Sequence, residues 1–129
     1  MNLENTKVQM RKGILEYCIL SIISRGEVYA SDVLESLKHA KMIIVEGTLY
    51  PLLTRLKNAG YVTYQWKEST SGPPRKYYTL TPLGQKFIGE LNETWKEIEY
   101  AVKITITDHQ PQTAETIITN SETSNPTES

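Results

Sequence analysis

The stretch EGTLYPLLTRLKNAG, residues 46 to 60, leaves this chain few folds to choose from. Leu49, Leu52, Leu53 and Leu56 recur at i, i+3, i+4 and i+7, which is one apolar stripe along a helix. The opposite arc carries Gly47, Tyr50, Pro51, Thr54 and Asn58, with Arg55 and Lys57 on its flanks. Pro51 is expected in the first turn, where a missing N–H costs least, and Gly60 beyond the last turn ends the helix. Alone, the segment reads as an ordinary amphipathic helix with a solvated face. Its aromatic, hydroxyl and cationic groups equally suit phosphates and base edges. The flanking elements decide between the two.

Upstream, a helix is expected from about Met10 to Ser24, with Ile14, Cys18 and Ile22 on one line and Leu15, Ile19 and Ile23 on the next. So wide a stripe belongs at the centre of a core. Residues 1–9 read as a loose polar arm, its end made basic by Lys7, Arg11 and Lys12. Cys18 sits inside the stripe as a small hydrophobe, and no His or Asn pattern supports a catalytic thiol. A turn at Arg25-Gly26-Glu27 leads to a second helix from about Tyr29 to Ala40, with Val33, Leu34 and Leu37 inward. Ser31 and Asp32 suit its start, and Lys41 to Val45 is a short link. Three consecutive helices of which the third is polar outward make a helix-turn-helix.

Downstream, Val62, Tyr64 and Trp66 alternate with Thr63, Gln65 and Lys67, as in a half-buried strand. Ser69 to Pro74 reads as a turn, and Arg75 to Leu80 as a returning strand. Two strands are not stable by themselves, so the hairpin must lean on the helices. The expected fold is therefore mainly α with a small antiparallel hairpin: a winged helix spanning residues 10–81.

Thr81-Pro82 is a strong helix start, and a helix is expected over 82–105. Ile88, Leu91, Trp95, Ile98 and Val102 follow one another at 3, 4, 3 and 4, a narrow heptad seam that a second copy of the helix would bury. The competing arrangement folds this helix back on its own domain. Residues 106–129, rich in Thr, Ser and acidic groups, read as a disordered acidic tail. The net charge of −1 hides an asymmetry. Four of the 15 acidic residues are Asp108, Glu115, Glu122 and Glu128, so residues 1–104 hold 11 against 14 Lys and Arg, a net of +3. That permits anion binding.

Function classes narrow by exclusion. No apolar run approaches the roughly 18 residues of a membrane span, and the opening lacks a signal-peptide core, so a cytoplasmic location is expected. One cysteine and two histidines assemble no metal site, and no cofactor is expected. With no paired acid and base and no phosphate-cradling glycine loop, the chain does not read as an enzyme. The remaining alternative to DNA binding is a winged-helix module for protein–protein contact, which would need an exposed apolar patch on the third helix.

Three segments then carry a family resemblance: RKGILEYCILSII from Arg11, GTLYPLLTRLKNAGYV from Gly47 and GPPRKYYTLTPLG from Gly72. In order and spacing across residues 11–84 they resemble the PadR-like transcriptional regulators. The resemblance implies a homodimeric repressor whose third helix enters the major groove of an operator and whose wing follows the backbone. It assigns Thr48, Tyr50, Pro51, Arg55 and Lys57 to the recognition helix, and Gly72, Arg75 and Lys76 to the wing. The outward position of Thr54 adds it to the candidate contacts. The family's second helix often opens Tyr-Gly-Tyr, whereas this chain has Tyr29-Ala30-Ser31. Members of the short branch that bind planar drugs carry a tryptophan on the last helix, which Trp95 resembles. Trp95 is thus a candidate for stacking on a planar aromatic effector, although heptad spacing alone accounts for a large apolar residue there.

Overall fold

The computed structural model describes residues 2–108. Its elements run α1 (Leu3–Ile23), β1 (Val28–Tyr29), α2 (Ala30–His39), α3 (Glu46–Asn58), β2 (Val62–Ser69), β3 (Gly72–Leu80) and α4 (Pro82–Asp108). The core collects Ile19, Leu20 and Ile23 of α1, Val33 and Leu37 of α2, and Leu49, Leu53 and Leu56 of α3. Val62, Tyr78 and Ile88 close it from the sheet and from α4. The leucine stripe of α3 is thus turned inward, with Leu52 half-buried at its edge.

The residues expected as a loose arm are instead the first turns of α1. Asn2 caps them, its Oδ1 accepting from the N–H groups of Glu4 and Asn5 at 2.8 and 3.3 Å. Apolar periodicity could not reveal these turns, because they bury almost nothing: Leu3 and Val8 are both exposed.

A third strand joins the hairpin, in the order β1-β3-β2. Only Val28 and Tyr29 take part, opposite Tyr78 and Tyr77, which is too short for an alternating pattern to register. The turn expected over Ser69 to Pro74 is narrower, because Gly72, Pro73 and Pro74 already belong to β3. Two features accommodate the prolines. The register shifts between Lys67 and Ser69, opposite them, and β1 reaches no further than Tyr77, so their outer edge has no strand to donate to.

The exit of α3 and the entry of α4 are locked together. Gly60 takes the left-handed conformation at φ 89°, and the Tyr61 N–H returns to the Leu56 carbonyl at 3.0 Å. Thr81 caps α4 as expected, its Oγ1 accepting from the Gly84 N–H at 2.9 Å while donating to the Gly60 carbonyl at 2.6 Å. Tyr61 stacks flat on Phe87, ring centroids 3.9 Å apart. Gly84 lies so close to Tyr61 that a Cβ there would stand 2.0 Å from its carbonyl oxygen.

These contacts place the first turns of α4 with the winged helix. The chain divides into compact units at Leu91/Asn92, inside α4, rather than between Thr81 and Pro82. Ile88 is buried in the winged-helix core and Leu91 packs partly against it, so the first two seam residues are engaged by their own domain. In the second unit, α4 continues to Asp108, three residues past its expected end, with Trp95 half-buried and Ile98 and Val102 exposed. The remainder of the expected tail lies outside the described residues. Among the described residues no helix is long and apolar enough to cross a membrane, and no His, Cys, Asp and Glu group could hold a metal ion.

Candidate nucleic-acid interface

With its leucines inward, α3 presents Gly47, Thr48, Tyr50, Pro51, Thr54, Arg55, Lys57 and Asn58 to solvent. Pro51 lies in the second turn, not the first. Having no N–H, it leaves the Gly47 carbonyl without its i+4 partner. Gly47 has open space where a Cβ would be, so bare backbone is exposed at the start of this helix.

Two recesses flank α3: Tyr50, Arg75 and Lys76 line one, and Thr48, Pro51 and Arg55 line the other. A cleft of about 290 Å³ opens toward the wing, lined by Ser31, Glu46, Tyr50, Trp66, Arg75 and Lys76 among others. Its floor includes Tyr78, whose hydroxyl is pushed above the usual phenol range by burial and by the neighbouring Tyr50 and Tyr64. On the other side a groove of about 680 Å³ runs between α1, the link and α3. Val8, Leu15, Ile43, Val45, Pro51 and Leu52 make it apolar, and Arg11, Lys12, Thr48 and Arg55 also line it.

The cations expected to act alike are in different states. Arg55 reaches back to α1, where its Nε and Nη2 donate to Glu16 Oε2 at 2.8 and 2.5 Å. Arg75 lies 3.7 Å over the Tyr29 ring and donates to Ser31 Oγ at 2.8 Å, tying the wing to the start of α2. Lys67, on the same strand face as Arg75, is paired with Glu27 at 4.0 Å. Lys57 and Lys76 have no carboxylate partner among the described residues. Aromatic rings hold them instead: Lys57 Nζ lies 5.6 Å from the Tyr64 centroid, and Lys76 Nζ lies 4.4 Å from Tyr64 and 5.4 Å from Trp66. Thr54 is exposed on α3, and Gly72 is exposed at the wing tip, opposite Ser69.

Residue type alone identifies the cations but not what holds them. Glu16 gave no signal, since a lone carboxylate beside a core stripe is unremarkable in a sequence. Tyr64 and Trp66 gave an ambiguous one. They share a face with buried Val62, but that face leaves the core along the strand, so Tyr64 is half-buried and Trp66 is 62% exposed. Cys18 behaves as expected of a packed thiol: burial raises its pKa, which disfavours the thiolate.

A helix-turn-helix whose third helix is polar outward, continued by a basic hairpin, defines a winged-helix protein. The chain matches the transcriptional regulator PadR-like family over residues 19–90, and it belongs to that family. It is similar to a PadR-like transcription factor from Bacteroides fragilis, with 57% identity, TM-score 0.66, and 77% of this chain and 96% of that one covered. It is also similar to a PadR family transcriptional regulator from Eggerthella lenta, with 28% identity, TM-score 0.73, and 81% and 92% covered. A third similarity is to Bacillus subtilis PadR, whose structure was solved in complex with operator DNA. There the identity is 25% and the TM-score 0.56, over 60% of this chain and 46% of that one.

Proposed function

We propose that this chain is a cytoplasmic, DNA-binding transcriptional repressor that acts as a homodimer on a pseudopalindromic operator and is released by a small aromatic effector. The observation that carries DNA binding is the outward arc of α3, set beside two lysines that have no carboxylate partner among the described residues, in a fold shared with a relative solved on its operator. Thr48, Tyr50 and Thr54 are assigned to base edges and sugars, with Pro51 and the open backbone at Gly47 allowing close approach. Lys57 and Lys76 are assigned to phosphates, and Gly72 lets the wing tip lie against the duplex. Arg55 and Arg75 keep a place in the interface, but each already serves as a strut.

The dimer is supported by the exposed apolar residues of the second unit, Ile98, Val102 and Ile106. The groove beside α3 offers a second copy more apolar surface, and its Arg11 and Lys12 complement the Glu93, Glu97 and Glu99 of α4. Because Ile88 and Leu91 are already engaged, the interface proposed here starts at Trp95. An effector stacked there would act by shifting the angle between the two wings, a rigid-body movement about the interface.

The test is an equilibrium titration of the chain's own upstream DNA at several salt concentrations, with footprinting. Lys57→Ala and Lys76→Ala should each weaken binding to all sequences and reduce the salt slope by about 1. An unchanged slope removes that lysine from the phosphate contacts. For the effector, Trp95 emission in a Trp66→Phe variant should change with planar cations or phenolic acids. Constant emission across such a panel removes Trp95 from the ligand site.

A further inference from the structure

We infer that Tyr64 is a positioning residue for DNA binding: its ring gathers Lys57 of the recognition helix and Lys76 of the wing into one preorganised phosphate site. This rests on the DNA-binding reading above. Lys57 and Lys76 are separated in sequence and belong to different elements, yet both ammonium groups lie over one aromatic ring, at 5.6 and 4.4 Å from its centroid. Trp66 closes on Lys76 from the neighbouring strand position at 5.4 Å. Tyr64 is itself held, tilted against buried Tyr78 at 5.8 Å and edge-on to Trp66 at 6.3 Å, so the platform is anchored in the core.

Two like charges brought together would ordinarily call for a carboxylate between them. Here the negative face of the ring serves, and a ring attracts an ammonium without neutralising it. Both lysines therefore keep a full charge for an incoming anion. They also lose rotamer freedom before DNA arrives, freedom that a free lysine gives up only on binding. Arg55 shows the contrast on the same helix, since Glu16 positions it but also cancels its charge.

The experiment is a double-mutant cycle on a mixed-sequence 30-bp duplex at low salt, where phosphate contacts dominate. Tyr64→Leu should weaken binding about threefold to tenfold in the wild-type background, the size expected when the two lysines must be ordered on binding instead of before it. It should have no further effect in a Lys57→Ala/Lys76→Ala background. Tyr64→Phe keeps the ring and should bind as wild type. In the free protein, the ε-methylene protons of both lysines should show ring-current shifts that survive Tyr64→Phe; in Tyr64→Leu that of Lys57 should vanish and that of Lys76 should fall to what Trp66 alone supplies. Equal losses in both backgrounds, or a loss in Tyr64→Phe equal to that of Tyr64→Leu, would overturn the inference while leaving DNA binding intact. Absent ring-current shifts would overturn it even if the duplex is bound. A wild-type protein that does not bind the duplex at all would bring down the DNA reading and this inference together.

Discussion

The two halves of α4 carry one apolar rhythm, but its residues are buried in the first half and mostly exposed in the second. Up to Leu91 the helix is pinned to the exit of α3: Thr81 caps it, Gly84 lets it approach Tyr61, Phe87 stacks on that tyrosine and Ile88 enters the core. From Asn92 the same spacing continues, yet Ile98 and Val102 are 46% and 51% exposed. Periodicity states that a helix has an apolar face. It does not state what covers that face. What distinguishes the halves is not the seam but the residues around it, since only the first half has a glycine where backbone must pass and a threonine that bonds two elements.

The sharpest way to break this comparison is at Gly84. A Cβ at 2.0 Å from the Tyr61 carbonyl oxygen cannot be relieved by a rotamer change, because the obstacle is backbone. Gly84→Ala should cost about 3 kcal/mol or more, seen as a large fall in denaturation midpoint. A variant as stable as wild type would mean that α4 is not held this close. Next comes Ile88→Ala, which empties a nearly buried site and should cost about 2–3 kcal/mol in urea unfolding. If instead it altered only the oligomeric state, Ile88 would belong to a dimer seam after all. Thr81→Ala removes a cap and the bond to Gly60, and about 1–2 kcal/mol should go with them. No change in midpoint would show that water replaces both bonds without loss.

The sequence announced elements wherever a pattern was long and its purpose was burial. The leucine stripe of α3 and the Thr81-Pro82 start stand where their patterns put them, and the α1 stripe does so in part, with Leu20 fully buried beside it and Ile14 and Cys18 only half-buried. Three features were not legible, each for a physical reason. β1 is two residues long, and two residues have no period. The first turns of α1 depend on a cap, not on apolar contact. Pro51 was expected where it costs least and stands one turn further in, a place where convention and structure part. At the candidate site, charge identity was readable but charge state of engagement was not. Nothing in the order of residues says that Arg55 meets Glu16 while Lys57 and Lys76 meet Tyr64. Those pairings are made by packing between distant segments.

The smallest effect on folding should come from the second half of the helix. Ile98→Ser with Val102→Ser removes two exposed apolar side chains, and serine is nearly as helix-compatible as the β-branched residues it replaces. In the dilute limit, where association makes no contribution, the double variant should unfold within about 0.5 kcal/mol of wild type. At higher concentration the two should diverge. Wild-type midpoints should rise with concentration as dimer forms, while those of the variant stay flat, and sedimentation should give the variant a monomer's mass. A variant that still sediments as a dimer would remove Ile98 and Val102 from the interface and shift attention to the groove beside α3. A variant that is destabilised even in the dilute limit would mean that these residues contribute to their own chain's fold. The rhythm would then serve one purpose along its whole length, with no change of role at Leu91.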